Sequence, residues 1–356
     1  MRISPKSLVP IFFIAFFISC SKKDHETKPT CVYRGKTDLY AYTGGIGSKS
    51  TGTSELDYDD PKMPRSLTRT FIRESTDEVT NDAISKVTET LRFTFQYDMD
   101  GFLKTMVAHR SYEFLGFGKA HYQHNNQVFS NFKLDEVRTS NFSYQAGRAT
   151  SISAKTVTTT KGDSQPPVVV ELEESKTYQY DENGKAMSAA TISAEGSIAS
   201  TFVNGVIASE IQKNKNGAII SETKYNSMGL NSSITSNGST YEMGWDTRGN
   251  LTSVQLKNNG KIIYIQEFGY DDYENPENTI NQIFKGIPEA IKTIQLTDGV
   301  NNQISEISTN EKGEVASKIK TVYRYNSAGM PESSIMSRIG DAPVQLKTTS
   351  FRYKCP

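Results

Sequence analysis

Net charge, histidine, cysteine and tryptophan are all scarce or cancelled in this chain. Forty basic and 40 acidic residues leave no formal net charge over 356 residues. Nucleic-acid binding calls for a basic stripe or patch, so the balance argues against a nucleic-acid partner. Only four histidines are present. His25 sits near the start, and His109, His121 and His124 fall in or beside predicted strands. In His121-x-x-His124 the two rings point to opposite faces of a strand, because side chains alternate with period two. That spacing excludes a shared metal. There is no Gly-x-Ser-x-Gly elbow, no P-loop and no dinucleotide fingerprint. Asp98-x-Asp100-Gly101 begins as a Ca²⁺ loop begins, but the alternating ligands and the closing Glu do not follow. Asp57-Tyr58-Asp59-Asp60 is an acidic cluster suited at most to weak Ca²⁺ contact. No metal, no cofactor and no catalytic apparatus are expected, and the chain reads as a non-enzyme.

What is present starts at the N-terminus. Arg2 and Lys6 form a positive n-region, and Leu8–Ile18 is an apolar segment too short to span a bilayer as a helix. It ends Phe17-Ile18-Ser19-Cys20, which resembles a bacterial lipobox: a small residue followed by the Cys that receives lipid and becomes the new N-terminus. The expectation is a lipoprotein signal peptide over 1–19, with acyl chains on Cys20 holding the protein to a membrane. Residues 20–30 are polar and form a tether with no means of burying itself. Ser21 after the Cys is similar to outer-membrane lipoproteins. The charged tract Lys23, Asp24, Glu26 is similar to surface-export tracts of Bacteroidota. The protein is expected on the outer membrane, at the cell surface or on the periplasmic face.

With Cys20 committed to lipid, Cys31 and Cys355 remain, one at each end of the folded part. In an oxidising envelope such a pair reads as a disulfide. It would place the first and last strands side by side. A bridge closing so long a loop contributes about 5 kcal/mol on the chain-entropy model, less if the termini already meet.

Residues 31–356 read as a single β domain organised by one recurring phrase: an aromatic, Asp or Asn, two variable residues, Gly, then a fresh run of β-formers. It occurs at Tyr97-Asp98…Gly101, Tyr180-Asp181…Gly184, Tyr225-Asn226…Gly229, Trp245-Asp246…Gly249 and Tyr325-Asn326…Gly329. An Asx at the first turn position bonds its own backbone, and Gly three positions later takes φ > 0 without steric cost. Each unit therefore ends one strand and starts its antiparallel neighbour. Phe202-Val-Asn204-Gly205, Asn214-Lys-Asn-Gly217 and Asn258-Asn259-Gly260 are read as tight two-residue turns. Along Val87–Tyr97 apolar and polar residues alternate strictly, which means one buried and one wet face. The aromatics before the turns could stack on sugar rings, or pack across strands and staple each hairpin; their tracking of the turns favours the staple.

Two stretches read differently. Thr43–Pro64, rich in Gly, Ser and Asp, is expected as a long surface loop, and Val79, Ala83 and Ile84 could carry a helical turn. Ile280, Ile283, Phe284 and Ile287 follow an acidic lead-in at helical spacing, predicting a short helix within Glu277–Gly286, interrupted near Pro288. Its Ile/Phe stripe would plug one end of the sheet.

The turn units resemble YD (RHS-type) repeats, which form long antiparallel β-meanders. Together with the lipobox and Tyr270-Asp271-Asp272-Tyr273-Glu274-Asn275-Pro276, the whole is similar to Bacteroidota outer-membrane lipoproteins with a porin-like β fold. That resemblance implies an all-β meander curled or closed into a barrel-like sheet, and carries no activity. The first functional reading is a lipid-anchored envelope scaffold that binds a glycan or an envelope protein without catalysis. The second is a membrane-embedded, porin-like barrel, which shows the same period-two alternation; a carbohydrate-active enzyme is third.

Overall fold

The computed structural model describes residues 31–355 apart from 43–46, 61–62, 77–79, 81, 118–119, 126, 164, 279–283, 285, 289–298 and 341–342. The signal segment, Cys20 and the tether lie outside the described residues. The strands are β1 (Val32–Tyr42), β2 (Gly47–Asp60), β3 (Met63–Thr76), β4 (Ala83–Tyr97), β5 (Leu103–Gly116), β6 (Tyr122–His124), β7 (Gln127–Phe129), β8 (Asn131–Gln145), β9 (Arg148–Gly162), β10 (Val168–Tyr180) and β11 (Ala186–Ser193). They continue as β12 (Gly196–Val203), β13 (Val206–Asn214), β14 (Ile219–Tyr225), β15 (Asn231–Ser236), β16 (Ser239–Trp245), β17 (Leu251–Asn258), β18 (Lys261–Glu274), β19 (Asn301–Asn310), β20 (Val315–Tyr325), β21 (Pro331–Arg338) and β22 (Val344–Lys354).

Twenty of these strands form one sheet in which each pairs antiparallel with its neighbours, β6 and β7 standing aside as a small hairpin between β5 and β8. β1 pairs with β2 on one side and β22 on the other, so the sheet has no free edge and is a closed barrel. Closure satisfies the backbone groups that an open edge would leave bare. Cys31 and Cys355 are disulfide-bonded beside this seam, with Cα atoms 4.1 Å apart. Both termini and the five aromatic–Asx–Gly turns thus share one end of the barrel, here the proximal end.

The turns work as their residues dictate. Asp98 accepts the backbone N–H groups of Asp100 and Phe102 at 3.0 and 2.9 Å, and Asn226 those of Met228 and Leu230 at 2.9 and 3.0 Å. The fourth-position glycines take left-handed φ values of 74 to 90°. Asn214…Gly217 proves to be this same four-residue turn rather than a two-residue one, with Asn214 accepting from Asn216 and Ala218. Asn310…Gly313 repeats it at the distal end.

Alternation decides what lies inside. In β4, Phe93 and Phe95 are buried within the barrel, while Thr94, Arg92 and Gln96 between and beside them face out. Near the proximal end the interior is apolar, packed from Tyr33, Leu56, Leu67, Phe93, Leu103, Met106 and Phe142.

Two expectations are corrected. The supposed loop over Thr43–Pro64 contains β2, a 14-residue strand. Its Gly, Ser and Asp content gives it little intrinsic β propensity, but β3 pairs along its length and β1 pairs with residues 48–55 on the other side. Ala83 and Ile84 open β4 instead of a helical turn. Most of the predicted helix within Glu277–Gly286, residues 279–283 and 285, lies outside the described residues; residues 276–278 and Phe284 take 3₁₀ conformation. Ala149 donates to the Gly286 carbonyl at 2.8 Å, which ties this segment to the wall. Gly286 is left-handed (φ 79°), and a Cβ on it would lie 2.5 Å from the Gly147 carbonyl oxygen. The segment does plug the barrel, with Phe284 buried in the apolar cluster and Ile287 packed against it.

Candidate functional site

At the inner end of the plug a carboxylate meets the charged side chains of β1 and β3. β1 delivers its share through a bulge. The register shifts between Tyr33 and Gly35, which reverses the parity, so that Tyr33 and then Lys36, Asp38 and Tyr40 share the inner face. Gly35 sits at φ 135°, and a Cβ there would lie 1.9 Å from the Ser54 carbonyl oxygen, so the bulge demands glycine. From β3, Arg69 faces inward beside Leu91 of β4.

Glu277, capped from Asn275 Oδ1 at 3.0 Å, projects from the plug into this group. Lys36 Nζ donates to Glu277 Oε2 at 2.8 Å and lies 4.0 Å from Asp38 Oδ2. Asp38 Oδ1 accepts from the Thr349 hydroxyl at 2.5 Å, with Lys347 Nζ 3.8 Å away. Burial draws the Lys36 ammonium down, yet the charges of Glu277 and Asp38 more than offset it and leave it above its ordinary value. Lys347 stays below its ordinary value, because burial outweighs Asp38 and Lys36 adds repulsion. The Tyr33 phenol is pushed well up, by burial first and then by Glu277.

These groups border a cavity of about 360 Å³ lined by Lys36, Asp38, Arg69, Phe71, Leu91 and Glu277, among others. That is the lower range of ligand-sized pockets. Phe71 stands edge-on to Tyr40, with ring centres 6.0 Å apart. Glu277 is only 4% exposed, and its Oε1 has no hydrogen-bond partner among the described residues. The hydroxyls of Tyr33 and Tyr353, whose rings lie 5.8 Å apart, are likewise buried without a partner among them. Buried polar atoms in folded proteins are nearly always satisfied, so an open carboxylate oxygen marks a place where something polar belongs. Glu89, also in the lining, is paired with Arg110 at 2.8 Å, and farther along the inner wall Arg138 pairs with Glu174 at 3.0 Å.

The residues singled out from sequence are placed elsewhere. The pre-turn aromatics point their polar tips at the preceding strand: Tyr97 donates to the Pro64 carbonyl at 3.0 Å, Tyr180 to Ala149 at 2.5 Å and Trp245 Nε1 to Asn231 at 2.7 Å. They staple one hairpin to the next. Tyr225 bonds the Glu210 carboxylate and Tyr325 that of Asp271. His109 pairs with Asp135 on the outer face at 2.5 Å, and His124 packs on Phe132 beside the small hairpin. Asp57 is held by Arg65. Among the described residues no three His, Cys, Asp or Glu side chains gather as a metal site. The pocket residues were missed because they come from positions some 240 residues apart, as in the Lys36–Glu277 pair. The acidic lead-in to the plug was the one signal pointing toward them.

The fold and the site together define a closed antiparallel β-barrel with a plugged proximal end and a charged internal pocket. No protein-family model and no curated protein matches the chain. A solved structure of a porin-like protein from Bacteroides uniformis is similar over 92% of this chain and all of that one, with 12% identity and a TM-score of 0.33. A porin-like protein from Bacteroides vulgatus is similar over 91% of this chain and 99% of that one, with 10% identity and a TM-score of 0.29. The barrel itself rests on the pairing of its own twenty strands.

Proposed function

We propose that the protein is a lipid-anchored envelope barrel that binds a ligand inside its wall and performs no catalysis. The observation that carries this is the direction of the alternation. A bilayer-embedded barrel turns its apolar residues outward and its polar ones inward. Here Lys133, Asp135, Thr139 and Asn141 of β8 and Glu171, Glu173, Ser175 and Thr177 of β10 lie on the outer face beside Val137 and Val169, while Phe132, Phe142 and Tyr178 lie inside with the Arg138–Glu174 pair. A wall of that composition suits water, and attachment then falls to the lipid on Cys20. Because Cys31 lies at the proximal end, the tether would leave there, and the charged part of the interior would open away from the membrane.

The closed barrel is also the architecture of the porin-like reading, and its β2–β5 and β8–β10, at 13 to 15 residues, are long enough to cross a bilayer. Spanning strands need about 9–11 residues. β11–β17 have only six to nine. The two readings separate in one experiment, expression of residues 31–356 in an oxidising compartment without detergent. A monodisperse soluble monomer is expected. Protein that stays soluble only in detergent and inserts into liposomes would overturn the anchored reading in favour of the embedded one.

A further inference from the structure

We propose that the internal pocket binds a neutral, hydroxyl-rich ligand of the size of one sugar ring, held by Glu277 with the ring face on Phe71. The proposal rests on the reading of the barrel as a water-standing binding body and names what it binds.

The chemistry selects the class. The charged lining is mixed, Lys36 and Arg69 against Asp38, Glu89 and Glu277, so a cationic ligand meets like charge at Lys36 and Arg69 and gives up its hydration to enter. An anion would meet the buried Glu277 carboxylate, whose Oε1 is unpartnered and accepts but cannot donate. A neutral hydroxyl suffers neither penalty. It donates to Glu277 Oε1, an acceptor with no hydrogen-bond partner among the described residues. Adjacent hydroxyls on one ring supply donors and acceptors at the alternation that the mixed-sign rim of Lys36, Asp38 and Arg69 presents. The apolar face of a sugar ring is matched by Phe71 in the lining. The charged groups are also held in place before a ligand arrives: Lys36 by Glu277 Oε2, and Asp38 by Thr349. Little ordering cost then remains to be met on binding.

The test uses the disulfide-bonded protein of residues 31–356, with saturation-transfer NMR and calorimetric titration against matched probes. These are glucose, galactose, mannose and N-acetylglucosamine, with glucuronate and glucosamine as the charged counterparts. At least one neutral sugar is expected to bind, and more tightly than its anionic and cationic counterparts. Glu277→Ala should weaken it roughly tenfold to a hundredfold, the usual cost of losing a hydrogen bond to a charged group. Phe71→Ala, which leaves the buried carboxylate untouched, should weaken it separately, so the proposal remains testable if Glu277→Ala fails to fold. Absence of binding by every neutral probe, stronger binding of a charged one, or binding unchanged in Phe71→Ala would overturn it. Soluble protein that binds no neutral sugar defeats this inference alone, whereas protein that requires detergent defeats the reading beneath it.

Discussion

At the scale of single residues, the turn carboxylates and amides carry more than their exposed positions suggest. Asp246 accepts the backbone N–H groups of Arg248, Gly249 and Asn250 and the side-chain amide of Asn250, all at 2.7 to 2.9 Å. Burial pushes its carboxyl up, but these bonds outweigh it and hold the group below its ordinary value. Asp246→Ala strands donors on the fully buried Asn250, and should cost about 1–3 kcal/mol in denaturant unfolding. Asp246→Asn should cost much less, because Asn226 and Asn326 hold equivalent turns through an amide oxygen. With its folded value depressed, Asp246 contributes stability above the unfolded carboxyl's range and loses it as pH falls through the folded one. The difference between the wild type and the alanine variant should therefore shrink in acid. These turns were legible in the sequence because Asx and Gly act locally. Glu277 was not, because its meaning depends on Lys36, which only the closed fold brings to it.

At the scale of elements, the bulge in β1 and the plug decide what the barrel can hold. Without the extra residue at Gly35, Lys36 and Asp38 would face solvent and the pocket would lose two of its charges. Gly35→Ala should destabilise the protein by well over the ~1 kcal/mol expected for alanine at a left-handed but open position. Gly313→Ala is the fitting control, since Gly313 has φ 80° and nothing within 4 Å of the place a methyl would take. A comparison of the two melting temperatures isolates the cost of the close approach to Ser54. The same elements show why reading by pattern stopped where it did. Val87–Tyr97 announces its strand by alternation, whereas β2 is a strand only because β1 and β3 flank it. Of the Ile and Phe stripe near residue 284, Phe284 is buried and Ile287 packs beside it, and Gly286 joins the segment to the wall.

At the scale of the whole molecule, interior tyrosines tie stability to alkaline pH. Burial pushes the phenols of Tyr33, Tyr97, Tyr112, Tyr323 and Tyr353 above their ordinary value of 10.0, with neighbouring charges adding to the effect. Each folded value lies above the unfolded one, so their contribution is complete below about pH 10 and is lost as pH rises beyond it. The denaturant midpoint should hold steady up to that point and then fall steeply. Tyrosinate absorbance should appear together with loss of β-sheet circular dichroism; ionisation well before unfolding would contradict the buried placement. Architecture at this scale was only partly readable. The hairpin order followed from the turns, but in the residues themselves the joining of β1 to β22 was foreshadowed by the cysteine pair, closure otherwise coming from the resemblance.

The disulfide beside that seam also has a mechanical consequence. A barrel held by its N-terminus and tugged at its far mouth receives all the load at the first strand, the one most readily peeled away. Because Cys31 is bonded to Cys355, tension applied through Cys31 is shared at once with the last strand. The load then enters the wall as shear along two adjoining ladders, and the proximal end behaves as a clasp instead of a zipper.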